Sequence, residues 1–178
     1  RTEKDTGVIA LLDERFLERP ALAISHATTV TEKMAQLSKE TLVKASDLVF
    51  QFDEETFNKV CDLEDKVDQY EDKLGTYLVK LSNSYLNNRD SQILSVLLHS
   101  IGDFERISDH AVNIAYAAKE MNDKDLSFSD KAIEELTVFR KAVDDIMSST
   151  VEVFTDNDLE KAKKIEPLEE AIDYINGE

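Results

Sequence analysis

The chain has no tryptophan, one cysteine, two prolines and four glycines among 178 residues. A lone Cys61 closes no internal disulfide and builds no cysteine-rich zinc site, and it fits a reducing compartment. So few turn-formers leave little room for many short strands. With abundant Ala, Leu, Glu, Lys and Asp, the composition points to an all-α chain of long helices. No run of about 18 apolar residues is present, so nothing in it reads as a membrane span. No signal-peptide pattern opens it. No glycine-rich phosphate loop is found and no nucleophile stands beside a base in a familiar motif, so no enzyme is expected.

What the chain does have is acid. Its formal net charge is -17. Such a surface repels nucleic acid and anionic lipid head groups, so neither is expected as a partner. Free phosphate is repelled too unless a cation intervenes. Acidic clusters attract hard cations, although plain solubility explains an acidic surface equally well. The length suffices to bury a core in one elongated domain or two small ones. The chain begins with Arg1 instead of Met, and is expected to be a piece of something longer.

Residues 1–20 read as a connector that ends at Pro20, a helix breaker, with Leu11, Leu12, Phe16 and Leu17 needing something to pack on. From Ala21 to Phe52 the residues Ala27, Val30, Met34, Leu37, Thr41, Ala45, Leu48 and Phe52 recur at steps of three and four, one apolar stripe of a helix. A second helix, Glu54 to Asn83, carries Val60, Leu63, Val67, Tyr70, Leu74, Tyr77 and Leu81, with Asp53 or Glu54 at its opening. The stretch Asn83 to Asp90 is a turn. A third helix, Ser91 to Met121, turns Leu94, Leu97, Ile101, Phe104, Ile107, Ala111, Ile114 and Ala118 inward. A fourth covers Ser129 to Phe154 with Ile133, Leu136, Phe139, Val143, Ile146 and Val151 inside, and Ser127, Ser129 and Asp130 offer it an N-cap. A fifth runs from Asp158 with Ile165, Leu168, Ile172 and Ile175; Pro167 kinks it or marks a late start.

Short polar turns make such helices antiparallel neighbours. Two of them resemble each other. Val60, Leu63, Glu64, Asp65, Val67 and Asp68 align with Ile165, Leu168, Glu169, Glu170, Ile172 and Asp173 at a constant offset of 105. The preceding turns, Phe52 to Phe57 and Phe154 to Leu159, align at an offset of 102. This period exceeds that of stacked solenoids and suggests a duplicated three-helix bundle. The expected division is a connector over 1–20, a first bundle over 21–124 and a partial second bundle over 125–178. A duplicated bundle needs one more helix than the five counted. The apolar groove left by helices four and five then calls for a further helix or a second copy of the chain, which makes a homodimer an expectation.

The chemistry-bearing pattern lies on helices two and three. Glu64 and Asp68 are four residues apart and share a helix face; Glu105 and Asp109 repeat the spacing. Antiparallel packing brings both pairs together, and four carboxylates suit Mg²⁺, Ca²⁺, Mn²⁺ or ferric iron. The bland alternative is that Asp62, Asp65, Glu71 and Asp72 also sit on helix two, so acidic pairs at this spacing arise easily. His110 is either an added ligand or a structural histidine. Arg106 is expected to pair with an acid, Asn113 to extend the polar face, and Gly102 to permit close helix approach or simply to pack.

The segment Asp103-Phe104-Glu105-Arg106-Ile107-Ser108-Asp109-His110-Ala111-Val112-Asn113-Ile114-Ala115 closely resembles the PhoU signature, with Ser108 where glycine is usual. Leu63 to Asp68 resembles the partner motif on the preceding helix, and Leu168 to Asp173 its second copy. The resemblance spans residues 25–178 and implies PhoU-like tandem three-helix bundles, the second lacking its last helix. It also implies surface iron or zinc clusters on such carboxylate pairs: Glu64, Asp68, Glu105 and Asp109 as one metal site, Glu169 and Asp173 as half of another. The stretch Leu12 to Ala23 resembles the junction between membrane part and C-terminal tail in sodium/phosphate cotransporter-related proteins. That implies a regulatory tail on the cytoplasmic face of the membrane, with the transporter region of the same chain as partner. A free-standing PhoU-type regulator of phosphate ABC transport and signalling is the alternative. A metal-binding protein or metal-dependent enzyme is the third reading.

Overall fold

The computed structural model describes residues 7–156, with side chains to residue 149. The expected fifth helix, and with it Glu169, Asp173 and the second repeat motif, lies outside the described residues. Among those described, a short 3-10 helix, Glu14–Glu18, precedes four long helices: α1 (Pro20–Phe50), α2 (Glu54–Ser82), α3 (Asn88–Asp123) and α4 (Asp130–Asp156). No strand occurs among them.

The boundaries follow local chemistry. Pro20 opens α1 instead of closing the connector, because a first-turn residue needs no amide hydrogen and proline's φ already suits a helix. Asp53 caps α2, accepting from the Thr56 amide at 3.1 Å and the Thr56 hydroxyl at 2.7 Å. Asn87 caps α3 by accepting from the Asp90 amide at 2.7 Å, so α3 starts within the stretch expected to be a turn. Ser129 accepts from the Ala132 amide at 3.1 Å and opens α4.

The first three helices close around one core. Every expected inward residue of α2 is buried, as are those of α3 except the half-buried Ile114. Contacts along α2 and α3 run in opposite directions: Glu54 meets Lys119 at 3.2 Å, the Phe57 ring stands edge-on to Tyr116 at 5.2 Å, and Gly75 lies beside Ile101. The middle of α2 therefore faces the middle of α3.

Helix α1 is the central element, packed on α2, α3 and α4. Besides the expected stripe it buries Thr31, Ala35, Ser38, Leu42 and Ser46. Burial of those hydroxyls is tolerated because each has an acceptor. Thr31, Thr41 and Ser46 donate to the carbonyls of Ala27, Leu37 and Leu42 one turn back, and Ser38 donates across the bundle to the Phe104 carbonyl at 2.7 Å. Helix α4 lies antiparallel to α1, with ion pairs from Lys39 to Asp144 at 2.8 Å and from Arg140 to Asp47 at 3.6 Å. Among its described side chains Phe139, Val143 and Met147 are buried, while the expected Ile133, Leu136 and Ile146 are only half-buried; the side chain of the expected Val151 lies outside the described residues.

The start of the described chain packs on one end of this bundle. Leu11, Leu12, Phe16 and Leu17 pack against the core. The Tyr77 hydroxyl donates to the Asp13 carbonyl at 3.1 Å, Lys80 pairs with Glu14, and Phe16 stands edge-on to His26.

Candidate metal centre

The antiparallel register decides which acids meet. Glu64 and Asp68 on α2 flank its buried Leu63 and Val67, and Glu105 and Asp109 on α3 flank Phe104 and Ile107. Oxygens of Asp68, Glu105 and Asp109 lie within 4.8 Å of one another, and so do those of Glu64, Asp65 and Asp68. Asp68 belongs to both groups and joins the two helices' pairs. All four carboxylates expected from spacing are thus at one place.

Electrostatics records the crowding. Glu64 is pushed from 4.5 up to about 7, by desolvation first, then by the hydrogen bond to Asp68 and the charges of Asp68, Asp109 and Asp65. Glu105 is pushed up to about 8, by desolvation, its hydrogen bond to Asp109, and the charges of Asp109, Glu71 and Asp68. Without a cation, the arrangement holds protons near neutral pH that isolated glutamates would have released.

Glu71 belongs to the same field. Desolvation and then the charges of Asp68, Asp109 and Asp72 raise it. Sequence reasoning counted it among the background acids. Its position, two turns after Glu64, puts it on the same face, and that spacing was the available signal.

Other expectations resolve differently. Neither cluster of donor atoms includes His110. With Asn113 and Ile114 it lines a groove of about 390 Å³ whose far wall is Phe128, just before α4, and Ala132, Leu136 and Phe139 of α4. One residue along a helix is a rotation of about 100°, enough to carry His110 off the face that Asp109 occupies. Arg106 pairs with the buried Asp103 one turn back at 2.5 Å, the structural role expected of it. Gly102 does not mark a close approach: a methyl group there would meet nothing within 4 Å. Cys61 sits half-buried one turn before Asp65. Burial raises its thiol against the lowering effect of a hydrogen bond with Tyr116, and the neighbouring carboxylates raise it further, so it stays protonated and is a poor ligand.

The donor set can be tested against a cation. Two oxygens on one Mg²⁺ or Ca²⁺, each at roughly 2.0–2.6 Å from the ion, are at most about 5 Å apart. The clusters fall within that span. All donors are hard carboxylate oxygens, half-buried or exposed, which fits a hard cation, ferric iron included, better than the nitrogen- and sulfur-rich sets that zinc prefers.

The same helices carry the family evidence. Residues 31–118 match the family model of the PhoU domain. The match covers most of α1, all of α2 and most of α3, and therefore all six acids of the centre, Glu64, Asp65, Asp68, Glu71, Glu105 and Asp109. No curated protein matches the chain significantly, and no solved structure does. A PhoU domain suggests regulation of phosphate transport, in a family that is regulatory and not enzymatic. No helix among the described residues is long and apolar enough to cross a membrane.

Proposed function

We propose that this chain is a regulatory or accessory domain of sodium-dependent phosphate transport whose bundle surface holds a hard cation. The observation behind the cation is the convergence of Glu64, Asp68, Glu105 and Asp109 from two helices within the PhoU match, with Glu71 beside them. A bound cation would neutralise the repulsion that raises Glu64 and Glu105 and tie α2 to α3. Ferric iron fits these oxygen donors better than zinc does, and Mg²⁺, Mn²⁺ and Ca²⁺ fit them as well. The sodium-coupled transporter enters through the Leu12 to Ala23 resemblance, and on this reading the domain would lie on the cytoplasmic side, next to a membrane region.

The cation reading is tested by supplying ferric, zinc and magnesium ions separately, removing free ion by gel filtration, and measuring bound metal by elemental analysis. The unmodified domain is expected to retain metal. The double variant Glu105→Ala/Asp109→Ala is expected to lose it while keeping its helical circular dichroism. Retention of no ion at all would end the metal claim and leave the PhoU assignment untouched. The transport reading is tested by phosphate uptake in cells carrying the parent gene with residues 21–178 removed. Uptake that no longer responds to phosphate supply is expected. An unaltered response would turn attention to a regulator of ABC-type uptake.

A further inference from the structure

Residues 8–19 lie across one end of the bundle and touch two helices at once. The 3-10 helix within them packs on both α1 and α2. Its foothold on α1 is Phe16, whose ring stands edge-on to His26 with centroids 4.8 Å apart. Its footholds on α2 are Asp13, whose carbonyl accepts from the Tyr77 hydroxyl at 3.1 Å, and Glu14, which pairs with Lys80. The segment carries its own turns: the amides of Leu11, Leu12, Phe16 and Arg19 donate to the carbonyls of Val8, Ile9, Asp13 and Phe16. It is held less firmly than the helices. Val8, Ile9, Leu11, Leu12, Phe16 and Leu17 pack on the core, yet each stays half-buried. The ion pair is exposed and adds little. Arg19 precedes Pro20 and is kept out of the helical region, so α1 does not continue into the segment. That break lets residues 8–19 leave as a unit while the bundle keeps its core.

We propose that residues 8–19 are a strap that undocks from the intact bundle, and that neutralising the carboxylates between α2 and α3 tightens it. This rests on the cation reading above, in which the bound ion does the neutralising, and the strap carries the ion's presence out of the site. Glu64, Asp68 and Glu71 stand on α2, the helix that also carries Tyr77 and Lys80. Tyr77 follows Asp68 by nine residues, about 14 Å along one helix. Oxygens of Asp68 on α2 and of Glu105 and Asp109 on α3 lie within 4.8 Å of one another, and without a cation like charges there push α2 from α3. Neither cluster includes an acid of α1, so the push moves α2 relative to α1. The strap has feet on both. Its contacts fit the spacing at which α2 lies close to α1 and α3, and a shift of α2 draws Tyr77 and Lys80 from Asp13 and Glu14 while His26 stays beside Phe16. By linkage, a docked strap in turn favours the bound cation.

The test is hydrogen exchange on the full chain, read at the amides of Leu11, Leu12, Phe16 and Arg19, with residues 104–111 of α3 as the reference for opening of the whole bundle. Turns this short do not persist once undocked, so their protection reports docking. In the metal-free chain the strap amides are expected to exchange faster than the reference. Tyr77→Phe keeps the ring and removes the hydroxyl; it is expected to speed the strap about fivefold, the effect of one ordinary hydrogen bond, and to leave the reference unchanged. Asp68→Asn/Asp109→Asn, kept metal-free, removes charge from both helices, and loading the unmodified chain with ferric ion neutralises it. Each is expected to slow the strap about fivefold, at the low end of ordinary coupling between sites. Strap amides that exchange at the reference rate would overturn the proposal, since the strap would then open only with the bundle. So would a strap rate left unchanged by Tyr77→Phe, by Asp68→Asn/Asp109→Asn, or by ferric ion that the chain retains. If no ferric ion is retained, it is the cation reading that fails, and the charge-removed variant still decides the strap.

Discussion

The first three helices and α4 have equally regular apolar stripes, yet they are enclosed to different degrees. Phe104 in α3 is buried completely among α1 and α2 and has a neighbour on every side. In α4, half of the expected stripe remains half-buried, because among the described residues the main helix it packs on is α1. An amphipathic pattern specifies that a face will be buried. It does not say how many walls will enclose it. The site follows the same division: the acids converge where helices are enclosed on both sides, and the open grooves lie along α4.

The strongest way to break that comparison is to empty equivalent positions on its two sides. Phe104→Ala is expected to cost about 3–5 kcal/mol in urea unfolding, as a large ring removed from a closed core. Phe139→Ala, on the helix with fewer walls, is expected to cost about 1–2 kcal/mol, since neighbours and water can fill the space. Equal costs would show that α4 is as fully enclosed as α3.

A smaller effect separates the carboxylate face from the rest. Glu64 and Glu105 hold protons up to about 7 and about 8 in the fold, against 4.5 for an isolated glutamate carboxyl. Between those values the native state binds more protons than the unfolded chain, so stability falls as pH rises. The metal-free domain is therefore expected to melt at a lower temperature at pH 8 than at pH 5 in calorimetry. Asp109→Asn, which removes a charge acting on both glutamates, should flatten the slope. A melting temperature that climbs through this window would contradict the account.

The smallest effects lie at the surface. Asp53→Ala removes the cap of α2 and is expected to cost about 1 kcal/mol by chemical denaturation. Lys39→Ala breaks an exposed pair with Asp144 on α4 and is expected to cost less than about 1 kcal/mol, a loss that added salt erases. A larger loss at Lys39 would mean that its charge is desolvated by something lying over the groove between α1 and α4.

Much of this was legible in the residues. Leu63, Val67 and Leu74 on α2, or Leu97, Phe104 and Ala111 on α3, announce their face by spacing alone. The pairs Glu64/Asp68 and Glu105/Asp109 were visible as neighbours on a turn, and the signature around Phe104 agrees with the PhoU match. What escaped was the breadth of α1. Thr31, Ser38 and Ser46 look polar in sequence, and they are buried because their hydroxyls find carbonyl acceptors. The small side chains among them allow other helices to pack closely.

By itself, the sequence determined that the chain is helical, where the described helices turn, and which acids are adjacent on each helix. Those properties depend on residues within one or two turns of each other, through caps and a period of 3.6 residues. Tertiary structure alone decided that Asp68 bridges two helices' acids, that Glu71 joins their field and that His110 lines a groove against α4. It also decided that α1 is buried on more than one side while α4 keeps open flanks. These depend on which helix lies alongside and at what rotation, and no local spacing carries that information.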